Sequence, residues 1–341
     1  VLVTGAIASL TWALIEAGER GWSDSLIVSA FAISAVLFAA FIFVEQRTEK
    51  PMVPLGFFKS STFTAANIDA FAVSFFISGI AFSMTLYWQH VHDYSPIKNG
   101  LTMLPMVATM MIFSPISGSL VNRIGMSKLI SLGMLIAGAS AFLYLRTGVN
   151  SSFVDVLPAM IVMGFGFSLI FAPMTTAVLN SVSSDKSGVA SAVNGAVREM
   201  GFAFGVALLG TIMNQTYRDA FSSDPSIQQV RNSSDPAFAP LQPVLDLIGS
   251  GINYAGNVIF DQEHFSAVPA QIADAIYLAS AEAFVEGMHK SFIITGIAIV
   301  GVAVLSFFMI NDRVAESAPE DAPDDFDVNP LVPPVSSAPG E

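Results

Sequence analysis

The chain has 341 residues, of which 53% are hydrophobic and only 12% charged, about half the charged share usual in a soluble domain. Its formal net charge of −13 is concentrated in two stretches: residues 215–288 hold nine acidic and two basic groups, and 311–341 hold eight acidic and one basic. The remainder is near neutral, which argues against a nucleic-acid-binding surface, and the absence of cysteine excludes disulfides, thiolate metal sites and thiol catalysis.

A hydrocarbon core about 30 Å thick needs roughly 20 apolar residues as an α-helix. The sequence supplies eight such runs in order: 1–15, 26–44, 63–89, 101–120, 129–145, 156–182, 189–213 and 291–310. The first opens at Val1 inside an apolar stretch and reads as a span that has lost its upstream part. Short connections carry helix-ending signals such as Gly18, Gly21, Pro96, Gly100, Gly125, Gly148 and Gly188. A transmembrane β-barrel would show alternating segments of about 10 residues instead. The fold class expected is therefore an all-α integral membrane bundle of eight transmembrane helices. Trp22, Tyr87, Trp88 and Tyr94 fall near span ends, as interfacial anchors do.

Lys and Arg in the short loops set the orientation. Arg47, Lys50, Lys59, Arg123, Lys128, Lys186 and Arg313 lie on one side, and Arg20, Lys98 and Arg146 on the other. The richer side is the cytoplasmic one, so residues 47–62 form a cytoplasmic linker and 313–341 an acidic, Pro-rich, disordered cytoplasmic tail. Residues 215–288 then form a long extracytoplasmic loop. Within it, 224–240 reads as irregular, while 269–290 has helical spacing in Ile272, Ile276, Ala279, Ala283 and Phe284 and reads as an interfacial or capping helix.

Charge inside a span is costly unless partnered, which makes it a functional candidate. Asp69 lies about 12 Å and Arg198 about 15 Å past the cytoplasmic loops preceding their spans, at similar depth. They read as a charge pair lining a polar route, with Glu199 as a second carboxylate able to carry a proton. The alternative is structural: Arg198 tethered to backbone carbonyls or to Glu199, and Asp69 facing trapped water. Gly201 and Gly205 form a small-xxx-small pair beside Arg198 and read as a helix-packing face. Pro105, Pro115 and Pro173 would free backbone carbonyls within spans. His90 and His92 make a lone His-x-His, poor evidence for a metal. No metalloprotease, nucleophile-elbow, P-loop or dinucleotide pattern occurs, so neither an enzyme nor a cofactor is expected.

Several stretches together resemble one family. Residues 43–67, "FVEQRTEKPMVPLGFFKSSTFTAAN", resemble the cytoplasmic segment leading into the C-terminal bundle of the fourteen-helix drug:proton antiporters of the major facilitator superfamily. Residues 86–105, with Gln89, Tyr94, Ser95, Pro96, Gly100 and Pro105, resemble the turn after the ninth helix. "GSLVNRIGMSK" resembles the superfamily's cytoplasmic loop motif, retaining Gly118, Arg123 and Gly125, with Asn122 where Asp is usual. Residues 188–212, with Asn194, Arg198, Gly201 and Gly205, resemble the thirteenth helix.

The resemblance implies a division of the chain. Residues 1–46 would be two extra central helices, 63–214 and 289–312 the C-terminal six-helix bundle, and the N-terminal six helices a missing half. It implies alternating access and places Gln89 and Asn194 with Asp69, Arg198 and Glu199 on a substrate or proton pathway. It also implies proton-coupled export of amphipathic small molecules across a bacterial plasma (inner) membrane. Partners would be a small-molecule substrate, protons and the lipid bilayer. An exporter of one dedicated lipid, siderophore or peptide, and a non-transporting remnant or scaffold, stay open as alternatives.

Overall fold

The computed structural model describes residues 2–48, 53–233, 236–252, 255 and 270–311. The tail expected over 313–341, together with Lys50 and Arg313, lies outside the described residues. Twelve α-helices run in chain order among them. α1 (Leu2–Arg20) and α2 (Ser25–Arg47) are followed by α3 (Ser61–Leu86), which ends in a π-helical turn, Tyr87–Val91. Next come α4 (Pro96–Thr102), α5 (Leu104–Ile124), α6 (Met126–Tyr144), α7 (Phe153–Ser168), α8 (Phe171–Asn180) and α9 (Ser187–Ser223). The short α10 (Pro225–Arg231) and α11 (Gln242–Gly249) precede α12 (Ala270–Met309).

Among the described residues seven helical stretches are long and apolar enough to cross a membrane: Ser25–Arg47, Ser61–Val91, Pro96–Val121, Met126–Tyr144, Phe153–Asn180, Ser184–Ser223 and Ala270–Met309. The eighth expected span is α1, whose apolar part, Leu2–Ala17, is shorter. Local chemistry sets the ends. Asp24 accepts from the Leu26 amide at 2.8 Å to start α2, and Ser152 and Asp155 form a capping box on α7. Gly125 turns the chain between α5 and α6 with φ +95°, a conformation that disfavours any side chain.

Two expected spans are interrupted. The 101–120 run splits at Met103 into α4 and α5, with Pro105 opening α5 where its missing N–H costs nothing. The 156–182 run breaks at Leu169 and Ile170. There the amides bond back three residues, to Gly166 and Phe167, and Pro173 follows in the first turn of α8.

The crossing helices bury a common core that includes Phe63, Phe76, Trp88, Tyr144, Phe167 and Phe292, each at most 1% exposed. α3 packs along α9 and α12, α6 lies between α7 and α12, and α5 rests on α7. α1 packs on α9, and α2 on α1, so the first two helices join the bundle through α9. Ser34 of α2 donates to the Ala6 carbonyl of α1 at 2.8 Å. Tyr87 and Trp88 do not act as interfacial anchors. Both are fully buried at the C-terminal end of α3, where the Tyr87 hydroxyl donates to the Gly148 carbonyl at 2.7 Å.

The described parts of 215–288 are more helical than their composition indicates. α9 continues through it to Ser223, and residues 224–240 contain α10 and a 3₁₀ turn, Pro236–Leu241. Residues 270–290 are the first half of α12 and continuous with the last span, not a separate capping helix. At 40 residues α12 is about 60 Å long, twice a bilayer's hydrocarbon thickness. Tyr277 of its first half donates to the Val91 carbonyl at 2.6 Å, and Ser280 bonds the Tyr217 hydroxyl of α9 at 2.8 Å.

Candidate functional site

The polar groups inside the bundle gather on α3 and the helices around it. Asp69 is completely buried, and the Ser306 hydroxyl of α12 donates to its Oδ1. Its Oδ2 has no hydrogen-bond partner. Two residues earlier, and so about 200° around the helix, Asn67 faces α9. It accepts from the Asn194 amide at 3.3 Å and donates to the Phe63 carbonyl at 2.8 Å. One turn of α3 thus presents an amide to α9 and a carboxyl to α12.

Arg198, one turn after Asn194, points toward α8. Its guanidinium lies 5.5 Å from the centroid of the Phe171 ring, a cation–π distance, and the residue is half-buried. Glu199 is exposed. The expected Asp69–Arg198 pairing does not occur: the ion pairs among the described residues are Arg20–Glu16 and Arg231–Asp246. Helical geometry explains the separation. A carboxyl at position 69 is turned away from the α3 face on which α9 packs, so similar depth does not bring the two charges together.

The α3–α9 approach is made close by glycine. A side chain at Gly201 would run into the Phe71 carbonyl, and one at Gly205 into the Phe75 carbonyl, so both positions require the absence of a Cβ. Asn194, Gly201 and Gly205 therefore share the face applied to α3, with Arg198 at its α8 edge. Gln89 is half-buried in the π-turn, 20 residues and about 30 Å along the helix from Asp69, and belongs to a different level of the bundle. Gly118, Asn122 and Arg123 lie in the last two turns of α5, and Gly125 makes the turn to α6. Gly118 and Arg123 are exposed, so the motif forms a helix end more than a loop.

Sequence reading missed Asn67, Ser306 and Phe171. Asn67 was discoverable as an amide in an apolar run two residues from a charge. Ser306 carried no signal, because a serine in a membrane helix is ordinary. No group of three or more metal-ligating side chains occurs among the described residues. Chemically, the arrangement offers a buried carboxyl that can hold a proton, set behind an amide pair and a guanidinium on an aromatic ring.

Residues 2–206 match the family model of the Major Facilitator Superfamily. The chain belongs to that superfamily. Across 323 residues it is 25% identical to the tetracenomycin C resistance and export protein of Streptomyces glaucescens, covering 95% of this chain and 58% of that protein. It is 24% identical to the multidrug transporter protein MdtP of Bacillus subtilis, covering 94% and 59%. Over 210 residues it is 31% identical to the multidrug resistance protein Stp of Mycobacterium tuberculosis, covering 61% and 38%. The chain thus spans somewhat over half the length of the relatives it matches end to end. These Major Facilitator relatives are named as export, transport and resistance proteins, not as enzymes, and the helical bundle is that of a multi-pass membrane protein.

Proposed function

We propose that this chain is the C-terminal part of a fourteen-helix exporter that expels amphipathic small molecules in exchange for protons. In this reading α1 and α2 are extra central helices, and α3 to α9 with α12 form one six-helix half. A second half completes a cavity reached alternately from each side of a bacterial plasma membrane. The cytoplasmic side carries the α2–α3 and α5–α6 connections and the C-terminal tail.

One observation carries the coupling: Asp69 is a fully buried carboxyl in a membrane helix, held by a hydroxyl and, among the described residues, by no cation. Such a group is expensive to keep unless it works. Asn67, Asn194 and Arg198 would line the substrate route at the α3–α8–α9 seam, one layer away from the proton. Movement of α3 against α12 would join the two by opening or closing access to Asp69. Glu199, exposed on α9, and Gln89, in the π-turn, would serve the pathway outside that core exchange. The names of the relatives support a drug-like substrate class.

The experiment is transport by the full-length protein in proteoliposomes under an imposed pH gradient, with amphipathic dyes as substrates. Wild type should accumulate dye only while the gradient lasts, and Asp69→Asn should lose gradient-driven accumulation while still binding dye. Equal accumulation by the two proteins would refute the coupling role.

A further inference from the structure

A cavity unrelated to the Asp69 layer opens where α1 meets the outer halves of α3 and α9. Its volume is about 310 Å³, at the small end for ligand sites. Ile15 of α1, Phe82 and Leu86 of α3, and Val206 of α9 form an apolar wall, and Asn214 and Arg218 lie farther along α9. From Val206 to Arg218 the lining runs about 18 Å along the helix axis, so the space is a slot, not a sphere. Gly210 keeps it open: a Cβ there would come within 3.3 Å of the Phe82 ring.

Among the described residues the polar end has one sign. Arg218 is exposed and belongs to neither ion pair among the described residues. Asn214 accepts from the Ile252 amide at 3.0 Å through Oδ1, which leaves its Nδ2 hydrogens for another acceptor. Among the described residues no carboxylate lines the slot. Nearby Glu16 is bonded to Arg20 at 2.8 Å, and Asp219 follows Arg218 about 100° around the helix. Apolar walls leading to a guanidinium and an amide donor match a molecule with an alkyl or aryl body and an anionic head.

We propose that this slot is a binding site for an amphipathic anion, with its head group at Arg218 and Asn214 and its body along Phe82, Leu86 and Val206. The proposal does not depend on proton coupling at Asp69. The same chemistry could be supplied by an anionic lipid or by a soluble amphiphile.

The test uses the full-length protein in phosphatidylcholine nanodiscs, photolabelled with a diazirine-bearing decanoic acid and mapped by mass spectrometry. Label should fall on slot residues of α1, α3 and α9. The matching neutral decanol probe should label them about tenfold less, the worth of one charge-assisted contact. Arg218→Gln should lower acid labelling about as much, and Arg218→Lys should restore most of it. Nanodiscs containing phosphatidylglycerol assign the source. Loss of label there upholds the slot and identifies a lipid head group, and retained label upholds it with a soluble occupant. Equal labelling by acid and alcohol on wild-type protein, or label confined to other helices, would overturn the proposal.

Discussion

At the level of single residues, the two charges that stand out in the sequence have separate surroundings. Asp69 is tied to Ser306 and Arg198 to Phe171, and an amide pair, Asn67 with Asn194, occupies the contact where a salt bridge was expected. Residue counting says nothing of azimuth around α3, because an apolar helix buried on several sides shows no single face. If Ser306 positions the carboxyl, Ser306→Ala should slow gradient-driven transport about tenfold without abolishing it, and an unchanged rate would make the contact incidental. His92, just beyond the last turn of α3, bonds the Tyr87 hydroxyl through Nε2 at 2.9 Å. Burial, and then the Lys98 cation, hold its ring below the ordinary value of 6.5. The unfolded chain therefore takes up this proton first, and stability should decline as pH falls below about 6.5 until the folded value is passed. Between about pH 7.5 and 5 the thermal unfolding midpoint should fall less for His92→Gln than for wild type.

At the level of helices, the apolar runs marked nearly every crossing, but not their breaks or their lengths. The interruptions at Met103 and at Leu169–Ile170 come from backbone hydrogen bonding around Pro105 and Pro173, which hydropathy does not register. The acidic 215–288 segment reads as loop by composition, yet α9 and α12 project into it from either end, where Tyr217 and Ser280 bond the two helices together and Tyr277 bonds α12 to the Val91 carbonyl. The glycine pair on α9 was legible as a packing face, and its partner is the backbone of α3. Gly201→Leu should destabilise the bundle by about 1–3 kcal/mol through overpacking, measured as a lowered unfolding midpoint in detergent. The same change at Gly188, where an added Cβ meets open space, should have little effect. Comparable losses at both sites would mean that α3 and α9 do not depend on close approach.

At the level of the whole molecule, the proposed half-transporter layout would give each layer one task. The α3–α8–α9 seam carries amide and guanidinium groups that would meet a passing substrate, the α3–α12 seam holds a carboxyl that would take the proton, and α3 belongs to both. Superfamily membership follows from the matched residues 2–206, whereas the division of labour rests on side chains whose directions only the packed bundle defines. The central claim is that substrate and proton exchange through α3. It is tested most directly by proton release on substrate addition to the solubilised full-length protein in weakly buffered solution with a pH indicator. The account predicts release from wild type that disappears in Asp69→Asn while substrate still binds. Undiminished release from Asp69→Asn would contradict it and move the coupling proton elsewhere.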